Sequence, residues 1–523
     1  MEFYKDNYDA IVVGASLSGM SCALELAKKD KSVLVLEKHN LPGGLATSFV
    51  KNGQEYEATL HEMMSIGEET KPLKIRTFLE SNGIHCDWLR VPEAYKLYVP
   101  KENIDIVLHA GWTGSIENNK YKSGKFVMAD ELNEAYPGCK DEVNRLMNLC
   151  AKVYNSVNVL SVSKESKPMM LLKHPEFVKT CGYSTREVLD TFKLALPVRD
   201  ILKAYWIYVG TPFSDLPFTI YAVLMADYFI GGSYICKEFS HELSVRMAEK
   251  LLELGVDIEY NQEVTSIIVN NGCVTGVKTK RGDIINSKCV ATSTYPNKTY
   301  GSLIEPISEV PSEAFRFTNS RKIGLSCFSV LLRLDKKPSD LNIHNYSVFS
   351  STSEMDLDTF FEEANTRGPY NYLSTICLNY ANDSVVKEGE TLLSITTLPM
   401  ADPFLNIDPF DYAKIKRKIA QDMIARVSHF LGVPLQNHII DIVIETPISV
   451  AHFTGDYLGS VYGYQHRMDD HIVARLENNK ETHFIKGLAF IGAHGVSGNG
   501  MSPCITNGRK AAYDLMEDMG RKR

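Results

Sequence analysis

A glycine-rich stretch near the start of the chain has the residue types that hold a dinucleotide. It reads Gly14-Ala15-Ser16-Leu17-Ser18-Gly19 and follows the apolar run Ala10–Val13. Gly14 permits a tight turn off a strand, and Gly19 lets the next helix pack closely on a sheet. That helix, predicted over about 18–29, would point its positive N-terminus at a pyrophosphate. The pattern therefore predicts an ADP-binding clamp at 14–19.

The acidic residue at the end of the second strand limits which nucleotide can bind. Glu37 follows the apolar run Val33–Leu36 and lies eighteen residues past Gly19. A carboxylate there accepts hydrogen bonds from ribose hydroxyls and repels a 2′-phosphate, so NADP is disfavoured. Ser16 replaces the usual middle glycine, but serine is small and its hydroxyl can donate to phosphate. The alternative is an ordinary strand-to-helix turn.

Two further glycine-rich segments accompany this clamp. Lys38 is followed by Pro42-Gly43-Gly44-Leu45, which suits a backbone passing close to a long extended ligand and also suits a surface turn. Near the end, the apolar run Leu488–Ile491 enters a loop from Gly492 to Gly500, and a helix is predicted from near Pro503. A second helix N-terminus would there face the ligand, although a simple connection to a terminal helix is the alternative.

Several side chains could carry proton chemistry. His61 and His494 are candidates, and His494 could orient a cofactor or donate a proton because it lies inside the C-terminal glycine loop. Tyr462 could supply a phenol, as could Tyr464, while His466 and His452 could line a pocket, although a core position is the stronger interpretation for these four. The histidines lack zinc-like spacing, and no Gly-x-Ser-x-Gly elbow is present, so we predict no metal.

Composition is typical of a large enzyme. The 523 residues allow two or three domains, with 44% apolar and 23% charged residues. A net charge of −8 argues against nucleic-acid binding. Eleven cysteines without a Cys-x-x-Cys pair, together with no visible secretory signal or uncharged apolar run of membrane-spanning length, predict a cytoplasmic chain.

The elements that must position these residues are interleaved. We predict a discontinuous nucleotide-binding domain at 1–85, 231–300 and 476–523, with a second domain at 86–230 and 301–475. A helix is expected at about 241–254 and ends at Gly255. A strand at 257–260 and a meander at 264–269, 273–279 and 283–291 should extend the nucleotide sheet. The fold class is α/β, with a Rossmann-type domain and an interleaved α+β substrate domain.

In this order, the motifs resemble the FAD-dependent superfamily that contains phytoene desaturases, carotenoid isomerases and retinol saturases, and more distantly monoamine oxidases. Leu45–His61 and Tyr457–Gly463 look most like the isomerase and saturase branch. The resemblance implies FAD, with the pyrophosphate at the clamp, the adenosine ribose at Glu37 and adenine at the Val264 backbone. The implied cofactor residues are Gly14, Ser16, Gly19, Glu37, Lys38, Gly43, Gly44, Leu45, Val264, Gly492, Ala493, Gly500 and Met501.

Three positions depart from that family. Ala493 stands where an acid is usual, Gly231-Gly232 is followed by an atypical segment, and Glu57-Ala58-Thr59 lacks the acid-x-glycine pattern. The chain also has no second glycine fingerprint for NAD(P)H. Electrons would therefore come from an external donor or pass to an external acceptor, unless the net reaction is redox-neutral.

The substrate is expected to be apolar. Residues 169–229 are rich in Met, Leu, Phe and Tyr side chains that could wall a long tunnel, although for any single residue the domain core is the better prediction. We therefore predict an FAD-dependent oxidoreductase or isomerase acting on C=C bonds of a polyene, isoprenoid or unsaturated fatty acid. The alternatives are a flavin amine oxidase and a non-catalytic FAD-binding protein. Residues 168–178 could also contact a membrane surface.

Overall fold

The computed structural model describes residues 5, 7–58, 62–117, 120–161, 167–471, 474–475, 484–495 and 497–520. Its nucleotide sheet is fully parallel, as expected when strands are joined by helical crossovers and buried on both faces. In spatial order, the nucleotide sheet consists of Asp257–Glu259, Val33–Leu36, Ala10–Val13, Val290–Thr292 and Leu488–Phe490.

A second sheet packs beside the first and contains the meander. In spatial order, this meander sheet consists of Asn7–Tyr8, Ile284–Ser287, Cys273–Thr279, Val264–Asn270 and Ile304–Glu305. The prediction that the meander extends the nucleotide sheet is therefore wrong. The predicted strand 283–291 is broken because the Ser287 hydroxyl accepts from the Cys289 N–H at 3.2 Å and donates to the Cys289 carbonyl at 2.9 Å. This local turn sends Val290–Thr292 into the other sheet.

A mostly antiparallel sheet forms the other half of the molecule, and we call it the large sheet. In spatial order, it consists of Ile104–Leu108, Tyr95–Val99, Ser347–Ser351, Tyr372–Cys377, Thr391–Thr397, Phe328–Leu334 and Ile439–Glu445. One face packs an apolar core against the helix Pro409–Leu431. The opposite face turns toward the nucleotide half. Short hairpins pair Ser48–Lys51 with Gln54–Glu57, Trp88–Arg90 with Tyr234–Cys236, Gly67–Glu68 with Lys71–Pro72, and Ile116–Glu117 with Lys120–Tyr121.

Helices cover the sheets and connect them. The helices are Leu17–Ala27, Lys74–Ser81, Val127–Ala135, Lys140–Leu160, Lys167–Lys173, Pro175–Thr180, Thr185–Leu189, Leu196–Ile201, Phe218–Gly231, Phe239–Glu253, Pro296–Lys298, Ser312–Ser320, Leu357–Glu363, Leu378–Ala381, Asp402–Leu405, Pro409–Leu431, Pro447–Thr454 and Met501–Gly520. No helix among the described residues combines the length and apolar character that crossing a bilayer requires.

The first and last of these helices meet under the nucleotide sheet. The prediction of a helix at 18–29 corresponds to Leu17–Ala27, and the one near Pro503 to Met501–Gly520. The two helices are in close contact at Gly508, where an added Cβ would lie only 1.9 Å from the Ser18 carbonyl oxygen. Both N-termini are thereby brought to one edge of the sheet.

The predicted membrane contact falls on a short exposed helix. Leu171 and Leu172 of Lys167–Lys173 are 61% and 78% exposed, whereas Phe177 in the next helix is buried. Exposed leucines fit a surface contact, and the contact with a membrane stays a prediction. The domain boundaries likewise stay a prediction.

Candidate functional site

A cavity of about 620 Å³ runs between the nucleotide half and the large sheet. One lobe is lined by glycines of both glycine-rich loops, and the other by apolar side chains such as Val223, Leu224 and Leu398. The predicted site residues on its wall are Gly14, Ser16, Glu37, Gly43, Gly44, Leu45, Tyr462, Gly492, Ala493, His494, Gly500 and Met501. The fold thus brings together segments that are almost 500 residues apart in the chain.

The N-terminal clamp has no room for side chains at two of its positions. Gly14 has a φ of +105°, and a Cβ there would lie 2.2 Å from the Ser293 hydroxyl oxygen. A Cβ at Gly19 would lie 2.0 Å from the Gly14 carbonyl oxygen. Even a methyl group is therefore excluded at both positions, which leaves the backbone open to a ligand.

Ser16 has a local structural role. Its hydroxyl oxygen accepts a hydrogen bond from the Gly19 N–H at 3.2 Å and so caps the helix Leu17–Ala27. This contact explains why serine is accepted at a position where glycine is usual, since serine is a strong N-cap residue. The hydroxyl hydrogen is not used by the cap, so donation from Ser16 to a phosphate stays a prediction.

Glu37 ties the clamp to the next segment. Its buried carboxylate accepts from the Ala15 N–H at 2.7 Å and from the His39 N–H at 2.8 Å. Each carboxylate oxygen can accept a second hydrogen bond. Glu37 can therefore hold the clamp in shape and still bind ribose hydroxyls.

The Gly43-Gly44 pair lies directly against the clamp. The Gly43 N–H donates to the Ala15 carbonyl at 2.8 Å, and a Cβ at Gly43 would lie 2.3 Å from the Ala46 carbonyl. Gly44 has a φ of +64° and faces Ser16. These contacts place the second glycine pair on the same wall as the first loop, as the sequence predicts for an extended ligand.

The C-terminal loop is organised by a residue that the sequence did not single out. The Asn507 side-chain amide donates to the carbonyls of Gly492 at 2.9 Å and Gly498 at 3.1 Å, and its oxygen accepts from the Ser497 N–H at 2.8 Å. The Gly492 N–H also donates to the Ser18 hydroxyl at 2.9 Å. A buried amide thus fixes the loop against the first helix. A polar residue on the inner face of a terminal helix was the available signal.

Three predicted site residues lie away from the cavity wall, and a fourth falls outside the described residues. Gly19, Lys38 and Val264 do not line the cavity, although Gly19 packs directly beneath its wall. The Lys38 ammonium lies 3.5 Å from the His452 carbonyl, and Val264 is buried in the meander sheet. His61 lies outside the described residues. Roles for these four residues stay predictions.

His494 is a buried, neutral imidazole on the cavity wall. Its ring centroid lies 5.0 Å from that of Tyr295, and its Nε2 has no hydrogen-bond partner in the described part of the chain. Burial lowers the pKa of His494 to about 3, and the positive charges of Arg321 and Arg475 contribute. Because the ring is uncharged at neutral pH, it can orient a ligand by one hydrogen bond but is not a source of an imidazolium proton.

The predicted phenol and its neighbours are already hydrogen-bonded. The Tyr462 hydroxyl donates to the Ile207 carbonyl, and the Tyr464 hydroxyl donates to the Asn297 side chain at 2.5 Å. The His466 Nε2 lies 3.2 Å from the Asn499 side-chain oxygen, and burial lowers the pKa of His466 well below its usual value. Tyr462 and His466 line the cavity, but the Tyr462 proton is directed away into the backbone.

Glu62 is a carboxyl group on the cavity wall that sequence reasoning missed. It is buried and accepts hydrogen bonds from the hydroxyls of Tyr208 and Ser233, the latter at 2.6 Å. Burial raises the pKa of Glu62 to about 7, because desolvation outweighs these two hydrogen bonds. An acid immediately before the apolar pair Met63-Met64 was the available sequence signal. Such a group can give or take a proton near neutral pH.

Comparisons with known proteins agree with this architecture. Residues 12–73 match the family described as "NAD(P)-binding Rossmann-like domain". The chain is 24% identical to prolycopene isomerase of Daucus carota over 98% of its own length and 80% of that protein. It is 25% identical to all-trans-retinol 13,14-reductase of Rattus norvegicus over 68% of its length and 58% of that protein.

Solved structures share the fold. A putrescine oxidase structure superposes with a TM-score of 0.63 at 15% identity, covering 98% of this chain and 99% of that one. Cyclohexylamine oxidase from Brevibacterium oxydans gives 0.60 at 13%, covering 98% and 100%. The α/β fold class with a Rossmann-type domain is therefore confirmed, as is the resemblance to carotenoid isomerases and retinol saturases. Within the described ranges, no group of three or more His, Cys, Asp or Glu side chains could hold a metal ion.

Proposed function

We propose that this chain binds FAD and is an oxidoreductase or isomerase acting on C=C bonds of a hydrophobic polyene, isoprenoid or unsaturated fatty acid. The observation that carries this proposal is the cavity, which joins a dinucleotide clamp to an apolar lobe in a chain related along 98% of its length to a prolycopene isomerase. Retinol 13,14-reductases among its relatives support the same class of bond.

The residues along the cavity wall support FAD as the cofactor. Glu37 would take the adenosine ribose, Gly14 and Ser16 the pyrophosphate, and Gly43-Gly44 the extended middle of the molecule. Gly492 and Gly500 would lie near the flavin, and both have the positive φ that favours glycine. A bound flavin supplies hydride chemistry at a carbon–carbon bond, and the protein supplies binding, orientation and proton handling.

Side chains on the cavity wall would bind the substrate, orient the cofactor and transfer the proton. Val223, Leu224 and Leu398 would hold an apolar chain and exclude water. His494 would orient the cofactor through its unpartnered Nε2. We assign the proton to Glu62, because Tyr462 donates its proton to a carbonyl whereas Glu62 has a pKa near neutrality. Saturation would take a proton from Glu62, and desaturation would return one to it.

Two other functions remain as outcomes of the test. Amine oxidation shares the fold, as the putrescine oxidase and cyclohexylamine oxidase structures illustrate. The sequence relatives favour polyene chemistry over it. A non-catalytic FAD-binding protein would keep its flavin oxidised with every reductant and substrate supplied.

The decisive experiment uses the flavin-loaded protein under anaerobic conditions in deuterated water, with panels of polyenes, unsaturated fatty acids and amines. Each panel is run once with the flavin reduced by dithionite, which supplies electrons for saturation, and once with the flavin oxidised, which accepts electrons from desaturation or amine oxidation. A gain of two hydrogens indicates a saturase, a loss indicates a desaturase, and an unchanged mass with altered geometry indicates an isomerase. Conversion of amines alone would replace the proposal with amine oxidation. A purified protein that takes up no FAD would overturn it altogether.

The role of Glu62 has its own test. Glu62→Gln keeps the size of the side chain and can still pair with both hydroxyls if one of them turns to accept from the amide. It cannot exchange a proton, so we expect turnover to fall at least about 100-fold. The ionisation near neutral pH should disappear from the pH–rate profile. Glu69→Gln, at an exposed position seven residues away, is the matched control. An unchanged profile in Glu62→Gln would remove Glu62 from the chemistry.

A further inference from the structure

The large sheet presents a straight row of polar side chains to the cavity. Ser374, Thr396, Ser329 and Glu445 come from four neighbouring strands, and all four line the cavity. Ser374 is paired with Thr396, Thr396 with Ser329, and Ser329 with Glu445. Three strand spacings separate the ends of this polar row, which is roughly 14 Å.

Where this sheet face lines the cavity, the positions beside the polar row are apolar, whereas Ser394, Arg333 and Asp441 lie farther along the same face. Cys327 and Leu398 lie on the same face of the sheet, two residues from Ser329 and Thr396 along their strands. Val443 lies two residues from Glu445, on the other side of the row. Within the row, the Ser329 and Thr396 hydroxyls are hydrogen-bonded at 2.9 Å. Burying these four polar side chains is unfavourable unless each of them has a hydrogen-bond partner.

Glu445 is the unsatisfied end of the polar row. Its buried Oε2 has no hydrogen-bond partner among the described residues. Burial and the negative charge of Glu57 raise the pKa of Glu445 to about 8. At neutral pH the side chain is therefore a carboxylic acid with one O–H to donate and lone pairs to accept. Leaving such a group unpaired is unfavourable, and a bound ligand group that pairs with it would relieve that cost.

The opposite end of the polar row lies near Glu62. Ser374 is paired with Phe349, whose ring centroid is 5.8 Å from that of Tyr208, and Tyr208 donates to Glu62. A chain bound with its reacting bond near Glu62 could thus extend across the row to Glu445. The row would then contact a part of the substrate distant from the chemistry.

We propose that the polar row is a binding site for an oxygen-bearing end group of the substrate, and that this group is a neutral hydroxyl. A hydroxyl both donates and accepts, as do the protonated carboxyl and the neighbouring hydroxyls. A hydrocarbon end would leave Glu445 unpaired, and an ammonium group would require Glu445 to be ionised. This inference rests on the proposed function, since it concerns the substrate of the same cavity.

The test measures equilibrium binding to the flavin-loaded protein by the change in flavin absorbance. The probes share one C20 chain: all-trans-retinol, the corresponding hydrocarbon without the hydroxyl, and retinylamine. We expect the alcohol to bind about three- to tenfold more tightly than the hydrocarbon, the effect of a neutral hydrogen bond in a buried site. Equal binding of alcohol and hydrocarbon, or tighter binding of the amine, would overturn the proposal.

Two substitutions separate the hydrogen bond from charge. Glu445→Gln keeps a neutral donor and acceptor and should retain the preference for the alcohol, whereas Glu445→Leu should abolish it. Loss of the preference in both variants would indicate that an ionised Glu445 is the ligand, contrary to the proposal. If Glu445→Leu fails to fold, Thr396→Val provides the second test and should weaken the preference. Flavin content and thermal stability are checked for each variant.

Binding and turnover are scored separately. If none of the polyenes is converted but the alcohol binds preferentially through Glu445, the proposed function fails and the end-group site stands. If polyenes are converted with no preference among end groups, the end-group site fails and the proposed function stands.

Discussion

The two lobes of the cavity are built from different parts of the polypeptide. The glycine-lined lobe would hold the proposed cofactor and the apolar lobe the proposed substrate, and we call them the cofactor lobe and the substrate lobe. The cofactor lobe is largely main chain and contains Gly14, Gly43 and Gly492, which have positive φ angles. The substrate lobe is formed by side chains that project from the large sheet and from the helix Phe218–Gly231. A wall of backbone is fixed by conformation, whereas a wall of side chains is fixed by packing and by hydrogen bonds.

This difference determines what each lobe tolerates. In the cofactor lobe a methyl group added at Gly19 or Gly43 meets a backbone carbonyl oxygen, and one added at Gly14 meets the Ser293 hydroxyl and also strains a backbone with positive φ. In the substrate lobe an exchange of side chains changes shape or polarity and leaves the sheet intact. We therefore expect the first lobe to be lost by small substitutions and the second to be retuned by them.

The largest effect is expected at Gly19, which gives the most direct test of the difference in tolerance between the two lobes. In Gly19→Ala the new Cβ would lie 2.0 Å from the Gly14 carbonyl, so the first helix must shift away from the clamp. We expect loss of nearly all bound flavin, measured as visible absorbance per mole of protein. Gly301→Ala is the control because its Cβ would meet no atom within 4 Å. Full flavin content in Gly19→Ala would contradict the steric argument.

A side chain that supports the cofactor lobe should have the next largest effect. Asn507→Ala removes three hydrogen bonds to the C-terminal loop. At about 1 kcal/mol each, their loss predicts at least about a tenfold weaker affinity for FAD, measured by titration of the apoprotein. Asn365→Ala, at an exposed position, should bind FAD like the parent protein. Equal affinities in both variants would mean that the backbone holds this loop unaided.

Ionisation of Glu62 provides a test on the substrate side. Its pKa is raised in the folded protein, so its neutral form is favoured by folding and its charged form is not. Stability should decline as pH rises from about 5 to about 8, because folding then requires a buried charge. In Glu62→Gln this decline should be smaller by on the order of 1–3 kcal/mol, measured by urea unfolding at several pH values.

Several other carboxyls, Asp456 among them, have pKa values that are raised in the same direction. Burial raises the pKa of Glu57 to about 8, as it does for Glu445. The parent protein and Glu62→Gln must therefore be compared at each pH, so that only the difference is assigned to Glu62. Parallel stability curves would show that Glu62 is already ionised in the folded protein.

The smallest effect is expected at Ser16. Ser16→Ala removes the cap on the first helix and should lower the free energy of unfolding by about 1 kcal/mol. Ser16→Gly, which restores the usual glycine, should cost only a few tenths of a kcal/mol. Chemical denaturation measures both. A similar loss in the two variants would indicate that the hydroxyl is needed for more than capping.

Sequence reasoning succeeded where the signal is local. The strands Ala10–Val13 and Val33–Leu36 match the predicted apolar runs, since each run is followed directly by its glycine or acid. The helix Phe239–Glu253 was similarly predicted to within a few residues and ends before Gly255, which has a φ of +76°. Propensity and spacing are sufficient for such elements because neighbours in sequence determine them.

What could not be predicted depends on contacts between distant segments. Glu62 is held by Tyr208 and Ser233, which are 146 and 171 residues away. The polar row needs the register of four strands, which no single strand specifies. The neutral state of His494 follows from its burial near Arg321 and Arg475, which come from two other segments of the chain. Even the break in the meander came from one serine hydroxyl, too small a feature for an apolar pattern to reveal.

The contact of Ser18 with Gly492 and Gly508 has a consequence for synthesis of the protein. The first helix leaves the ribosome early, but its hydroxyl and carbonyl meet their partners only after some 490 further residues have been translated. The strand Leu488–Phe490 joins the nucleotide sheet equally late. Until that strand is made, the edge strand Val290–Thr292 of the nucleotide sheet is left without its partner. Partly folded chains with exposed strand edges are prone to aggregate. If the chain binds FAD as proposed, the cofactor would be captured only after translation, and the supply of flavin should then govern the yield of folded protein.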